Sequence, residues 1–380
     1  ALVLSYVLLS NTAWNLQAVM GAFRAGKQLF IVRLGQPFMN LVVAVALSFY
    51  LDSVWGLVIA TIAAAGIELL LSLFYARFYL TLHVTRAELR DGRKELPGIL
   101  KYGIKLAPST MAEGTSYEVP TFMMGIVGLP LGLLGAFSRA WMLARRFLEA
   151  NYKVYSALFP TLVERHHQGD HDGFDRAVGD TMRYVVVGML LLGAVSAGAA
   201  EGIMSVFGPG FERGAPALAL LMQVPALYAF YGILIVVLQA VDRPFLNTVA
   251  AFIRLGVIVA LSWPLLKWFG ITGAALATLA GYLVTCVYIG RVAMPYVSAP
   301  WHTLWSPRHI LALVIAYAST IGATYLLDQS IGGILGLLLA LSAGPVIYVG
   351  MFVLCGGLRE IDRERVAGVV RRVRPAASAA

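Results

Sequence analysis

The sequence predicts an all-α polytopic membrane protein, and three observations carry that reading. Only 13% of the 380 residues are charged while 59% are hydrophobic, where an ordinary soluble domain carries about 25% charged residues. Apolar runs of about 20 residues, enough to cross about 30 Å of hydrocarbon, recur along the chain. Basic residues gather in alternate loops between these runs. The runs are continuous, so a helix satisfies each backbone internally, whereas barrel strands would alternate over about 10 residues.

Eleven spans are expected, at 2–22, 31–51, 54–76, 104–127, 133–158, 184–206, 217–240, 246–266, 270–290, 309–327 and 331–356. The first three occupy residues 1–80. Between the first two, Gly21 to Gln28 approaches a phosphate-loop pattern, but Gln28 stands where a magnesium-holding Ser or Thr belongs and no strand leads into it. Nucleotide binding is not expected. The third span holds Glu68 at its centre, a carboxyl able to pair with a cation, carry a proton, or hydrogen-bond a neighbour as the acid. Residues 81–102 form a charged cytoplasmic linker between two lobes, with a short helix expected over Thr85–Leu100 in the membrane interface.

Residues 103–294 make a six-helix lobe. In its first helix, the fourth span, Ser109, Glu113, Ser116 and Pro120 follow helical spacing, Glu118 lies on another side, and Pro108 and Pro120 are expected to break the helix. The fifth span carries four cations. Arg139, Arg146 and Lys153 recur every seven residues on one helix face, Glu149 falls on the same stripe, and Arg145 lies about 100° to one side. The stripe runs about 21 Å, and an in-span cation costs about 2.5–3.5 kcal/mol unless it meets water or a partner. The stripe is therefore read as lining a polar cavity, faced by Glu113, with Glu118, Glu68 and Glu149 as further acidic candidates and Arg254 of the eighth span as a secondary cation. The bland alternative is pairing with helix neighbours and snorkelling to headgroups.

After the fifth span, His166, His167, Asp170, His171, Asp172 and Asp175 match neither a zinc nor a calcium template and are read as a solvated loop, with no metal site and no cofactor. The longest outward loop, 206–216, is short. Cys286 and Cys355 lie in apolar runs on different helices and suit buried thiols. Residues 295–356 add two helices, and 357–380 form a basic tail.

Arg24, Lys27, Arg33, Arg77, Arg86, Arg90, Arg93, Lys94, Lys101, Lys105, Arg165, Arg176, Arg183, Arg243, Arg291 and Arg308 share one side with the six arginines of the tail. Only Arg213 and Lys267 lie opposite. The tail is thus expected to be cytoplasmic, and anionic headgroups account for the net charge of +9 without nucleic acid as a partner.

An internal repeat is expected as well. Leu16-Gln17-Ala18 matches Leu238-Gln239-Ala240 at an offset of 222, Arg33-Leu34-Gly35 matches Arg254-Leu255-Gly256 at 221, and Ala60-Thr61-Ile62 matches Ala277-Thr278-Leu279 at 217. Parallel six-helix halves follow, which makes spans one to three the rear of a first half lacking three front helices, in a transporter of fourteen spans.

Residues 97–291 bring further motifs in order: Leu96-Pro97-Gly-Ile-Leu-Lys-Tyr-Gly103, Gly135-Ala-Phe-Ser-Arg-Ala140, Ala157-Leu-Phe-Pro160, Phe207-Gly-Pro-Gly-Phe211, Ala215-Pro-Ala-Leu218 and Phe269-Gly-Ile-Thr-Gly-Ala-Ala275. This succession resembles the polysaccharide flippases of the multidrug/oligosaccharidyl-lipid/polysaccharide exporter superfamily. The resemblance implies fourteen helices in two lobes plus a C-terminal pair, and flipping of an undecaprenyl-diphosphate-linked oligosaccharide across the bacterial cytoplasmic membrane. It implies no catalytic residue. Glu118 stands where the family commonly has an acid, and Arg139 departs from a usually apolar position. Expected partners are the lipid-linked oligosaccharide, membrane lipids, and polysaccharide polymerase or export machinery. Two rival readings remain, a multidrug or small-molecule exporter of the same superfamily and a membrane glycosyltransferase or polymerase; the basic stripe weighs against the first and the short outward loop against the second.

Overall fold

The computed structural model describes residues 2–22, 26–51, 54–78, 86–297 and 305–357. They form helices α1 (Leu2–Ala22), α2 (Gly26–Leu51), α3 (Val54–Ala76), α4 (Arg86–Val127), α5 (Leu131–Gln168), α6 (His171–Gly198), α7 (Ala200–Ser205), α8 (Ala215–Leu221), α9 (Val224–Ala240), α10 (Phe245–Ala293), α11 (Pro307–Ile331) and α12 (Gly333–Leu354). The protein is an all-α polytopic membrane protein, and each expected span falls on helix. Among the described residues, seven helical stretches are long and apolar enough to cross a membrane; one of them, Phe245–Tyr296, covers two expected spans. α1, α4 and α5 are not among the seven. Asn11, Asn15 and Gln17 dilute α1, Lys105, Glu113 and Glu118 dilute α4, and the cationic stripe dilutes α5.

Four local expectations are corrected. The short interfacial helix expected over Thr85–Leu100 is continuous with the fourth span, and neither Pro108 nor Pro120 ends α4; each proline removes one rung, and a membrane offers the backbone no competing water. The loop expected between spans five and six is mostly helix. α5 continues to Gln168, Gly169 turns at φ 69°, and α6 begins at His171. The supposed solvated cluster supplies that turn: Arg165, His166 and His167 lie in the basic last turn of α5, and Asp170 caps α6 by accepting from the Gly173 amide. Spans eight and nine join in α10, which turns sharply at Gly270 (φ 56°, ψ −135°). A Cβ at Gly273 would lie 1.9 Å from the Leu265 carbonyl oxygen, so this turn closes only on glycines. Span seven is likewise two helices, α8 and α9, because Pro225 in the first turn of α9 donates no backbone bond.

The chain divides into two compact units, residues 1–101 and 102–380. In the first, α3 packs on α1 and α2, and the Gln17 amide donates to Glu68 Oε1 at 2.8 Å. In the second, α5, α6 and α10 all pack on α9, while α11 and α12 pair and lean on α6. α9 is the axis: 72% of the apolar window around it is buried, against 28% for α11 and for α12. Asp328 of α11 is buried and ties α11 to α7 by accepting from the Gly202 amide at 2.9 Å. The basic tail lies outside the described residues, as do Arg24 and the middle of the Gly21–Gln28 motif.

Candidate functional site

α5 presents two chemically opposite faces. Ala136, Phe137, Ala140, Ala144 and Leu148 are buried, an apolar stripe at helical spacing that seals α5 against its own unit. Arg139, Arg146, Glu149 and Lys153, on the other side, are exposed by that unit. Arg146 pairs with Glu149 at 3.0 Å, with both side chains more than half exposed. Among the described residues, the Arg139 guanidinium reaches only the Met142 sulfur, at 3.8 Å, and the Lys153 ammonium meets neither a hydrogen-bond acceptor nor a carboxylate, although the Lys153 carbonyl accepts from the Ser156 hydroxyl at 2.9 Å. Arg145, beside the stripe, bonds Glu118 at 3.1 Å and lies over the Tyr117 ring at 5.1 Å. Glu118, not Glu113, is therefore the acid that α4 brings to the cations of α5.

Glu113 turns to a second constellation, and this corrects the expectation that it faces the stripe. Its Oε1 accepts from the hydroxyls of Tyr117 at 3.0 Å and Tyr152 at 3.1 Å and lies 3.8 Å from Arg254 Nη2. Arg254 is 2% exposed. It donates from Nη1 to the Tyr231 hydroxyl and its guanidinium stands 5.0 Å from the Tyr282 ring centre and 5.7 Å from that of Tyr231, within cation–π range. Its Nε has no hydrogen-bond partner among the described residues. Tyr228 meets Tyr231 edge to face at 5.0 Å, and the Tyr155 hydroxyl donates to the Tyr228 carbonyl at 2.7 Å. Gly232 makes that approach feasible, since a Cβ there would lie 2.2 Å from the Tyr155 oxygen.

A cavity of about 220 Å³ opens beside this group, lined by Glu113, Tyr152, Tyr155, Tyr228, Tyr231 and Arg254, with Gln239, Asn247 and Thr285 among the remaining walls. Neither charge nor motif spacing singles out these tyrosines in the sequence. Their signal was available: Tyr228, Tyr231 and Tyr282 sit well inside apolar runs, away from the interfacial positions where tyrosine normally anchors a helix. At the offsets of the repeat, Gln17, Arg33 and Glu68 correspond to Gln239, Arg254 and Thr285, all three of which line this cavity.

A family model described as "Polysaccharide biosynthesis protein" matches residues 2–208. That stretch reaches further toward the N-terminus than the motifs from 97 to 291 and stops before those of the ninth span. An uncharacterized membrane protein of Methanocaldococcus jannaschii is 23% identical over 224 residues, covering 58% of this chain and 43% of the relative. The lipid II flippase MurJ of Bacillus subtilis is 23% identical over 240 residues, with the same two coverages, 58% and 43%. The match thus spans less than half the length of either relative. A solved structure of lipid II flippase MurJ in an inward closed conformation shares the fold, with TM-score 0.65 at 12% identity over 92% of this chain and 70% of that one. Since the family model takes in more than half of the sequence, the chain belongs to the polysaccharide biosynthesis protein family.

Proposed function

We propose that the chain works as a transporter that flips an undecaprenyl-diphosphate-linked oligosaccharide across the cytoplasmic membrane by alternating access, for polysaccharide export. The observation that carries this reading is the stripe of Arg139, Arg146 and Lys153 on the face of α5 that its own unit leaves exposed. Lipid is a poor neighbour for such a face, and a water-filled path taking a diphosphate is a good one: guanidinium groups bind its oxygens in forked pairs, and Lys153 adds a point charge. The lipid tail stays in the bilayer while the headgroup crosses. Family membership and the likeness in fold to a lipid II flippase support the same reading. The basic tail lies on the cytoplasmic side in this scheme, and a polymerase or export machinery takes over the delivered glycan.

Charge reversal tests it. R139E combined with R146E turns two of the three attractive charges repulsive and is expected to abolish glycan export in cells while leaving the amount of membrane-inserted protein unchanged. Undiminished export by the double variant would refute the proposal.

A further inference from the structure

The Arg254 cavity is separate from the stripe, and nothing above gives it a ligand. Its charge is balanced, because the one guanidinium and the one carboxylate that line it oppose each other at 3.8 Å. A charged ligand would leave one buried charge uncompensated, which a protein interior tolerates poorly. A purely apolar ligand would strand the polar lining instead. At about 220 Å³ the cavity holds about seven waters at about 30 Å³ each, and a single pyranose ring with its hydroxyls fills comparable room. Four tyrosine rings, Tyr152, Tyr155, Tyr228 and Tyr231, offer flat apolar walls for the C–H faces of such a ring. Gln239 and Asn247 each supply a donor and an acceptor, and the buried Nε of Arg254 has a donor to spare among the described residues.

We propose that this cavity is a monosaccharide subsite that takes a neutral pyranose ring. The inference deepens the transport reading and rests on it for the identity of the sugar's carrier. Tyr152, on the cavity wall, directly precedes Lys153 of the stripe, and successive helix residues point about 100° apart. A diphosphate held at Lys153 would accordingly bring the first sugar of its glycan to the neighbouring face, where Tyr152 and Glu113 stand. The stripe holds the charge and the cavity reads hydroxyls. A site committed to hydroxyl hydrogen bonds discriminates strongly against analogues that lack them.

The test is direct binding of free sugars to the purified chain in nanodiscs, by calorimetry or saturation-transfer NMR. The probes are glucose, galactose and N-acetylglucosamine, with glucuronate, inorganic phosphate and choline as charged comparisons. At least one neutral sugar should bind saturably, and more tightly than any charged probe. N247A and Q239A, both at partly exposed positions where folding is safe, should each weaken it roughly three- to tenfold, and A250F should block it by filling the cavity. Absence of neutral-sugar binding, tighter binding of a charged probe, or affinity unmoved by N247A and Q239A would overturn the subsite. The two readings separate cleanly: export by the parent chain with no sugar binding defeats the subsite alone, whereas cavity-dependent sugar binding without any glycan export defeats the transport reading alone.

Discussion

Replacing Glu113 by glutamine leaves an acceptor for the hydroxyls of Tyr117 and Tyr152 but removes the negative charge opposite Arg254. That arginine is 2% exposed, so water cannot restore the balance. Breaking a buried pair by removing one partner costs about 3–5 kcal/mol. The contact is long, at 3.8 Å, and the Glu113 side chain is 29% exposed, which places E113Q near the lower end, about 3 kcal/mol. R254M in the same background removes the orphaned charge and fills its volume with an unbranched apolar chain. The double variant should then return to within about 1 kcal/mol of the parent, because apolar replacement of a buried pair is often neutral. Heating the detergent-solubilised parent, E113Q, R254M and the double variant, and following the monodisperse fraction by fluorescence-detected size exclusion, ranks the four. An E113Q protein as stable as the parent, or a double variant as weak as the two single losses combined, would refute the electrostatic account.

Two further outcomes follow from packing. G232A forces a methyl group against Tyr155, whose hydroxyl oxygen, Cζ and Cε2 lie 2.2, 2.4 and 2.7 Å from where a Cβ would sit, and should cost about 1–3 kcal/mol in the same heating assay; Y155F added to it leaves the two ring carbons in place and should not restore the parent's stability. D328A leaves the Gly202 amide without its buried acceptor and should cost about 1–3 kcal/mol, while D328N, which keeps a carbonyl oxygen at that place, should lose less than half as much.

The helical plan was legible because a membrane simplifies the problem: backbone groups in hydrocarbon leave helix as the solution for a continuous apolar run. Helix ends were less legible where charge resembled a loop. The residues around His166–Asp172 read as solvent-exposed, and so they are, but exposure and helicity coexist once Asp170 caps α6 and Gly169 reverses the chain. In the candidate site, the seven-residue spacing of Arg139, Arg146 and Lys153 sufficed to place them on one face, since a single helix fixes their relation. The partner of Glu113 was not readable that way. Arg254 lies far along the chain on α10 while Glu113 is on α4, and tertiary packing alone brings the two to 3.8 Å. The tyrosines escaped for a related reason, because a phenol inside an apolar run looks like filler until its hydroxyl has a named acceptor.

The burial of α9 has a consequence for how the protein responds to its membrane. A helix in contact with lipid must match the hydrocarbon thickness, and a mismatch tilts it or strains the bilayer at fractions of a kcal/mol per ångström. α9 is shielded from that demand by α5, α6 and α10, so its length answers to its protein neighbours. α11 and α12, with 28% of each apolar stretch buried, take the adjustment instead. Thicker or thinner bilayers would therefore re-tilt the peripheral pair while α9 keeps its register, so changes in lipid composition reach the Arg254 cavity through α10, whose apolar stretch is 33% buried, rather than through α9.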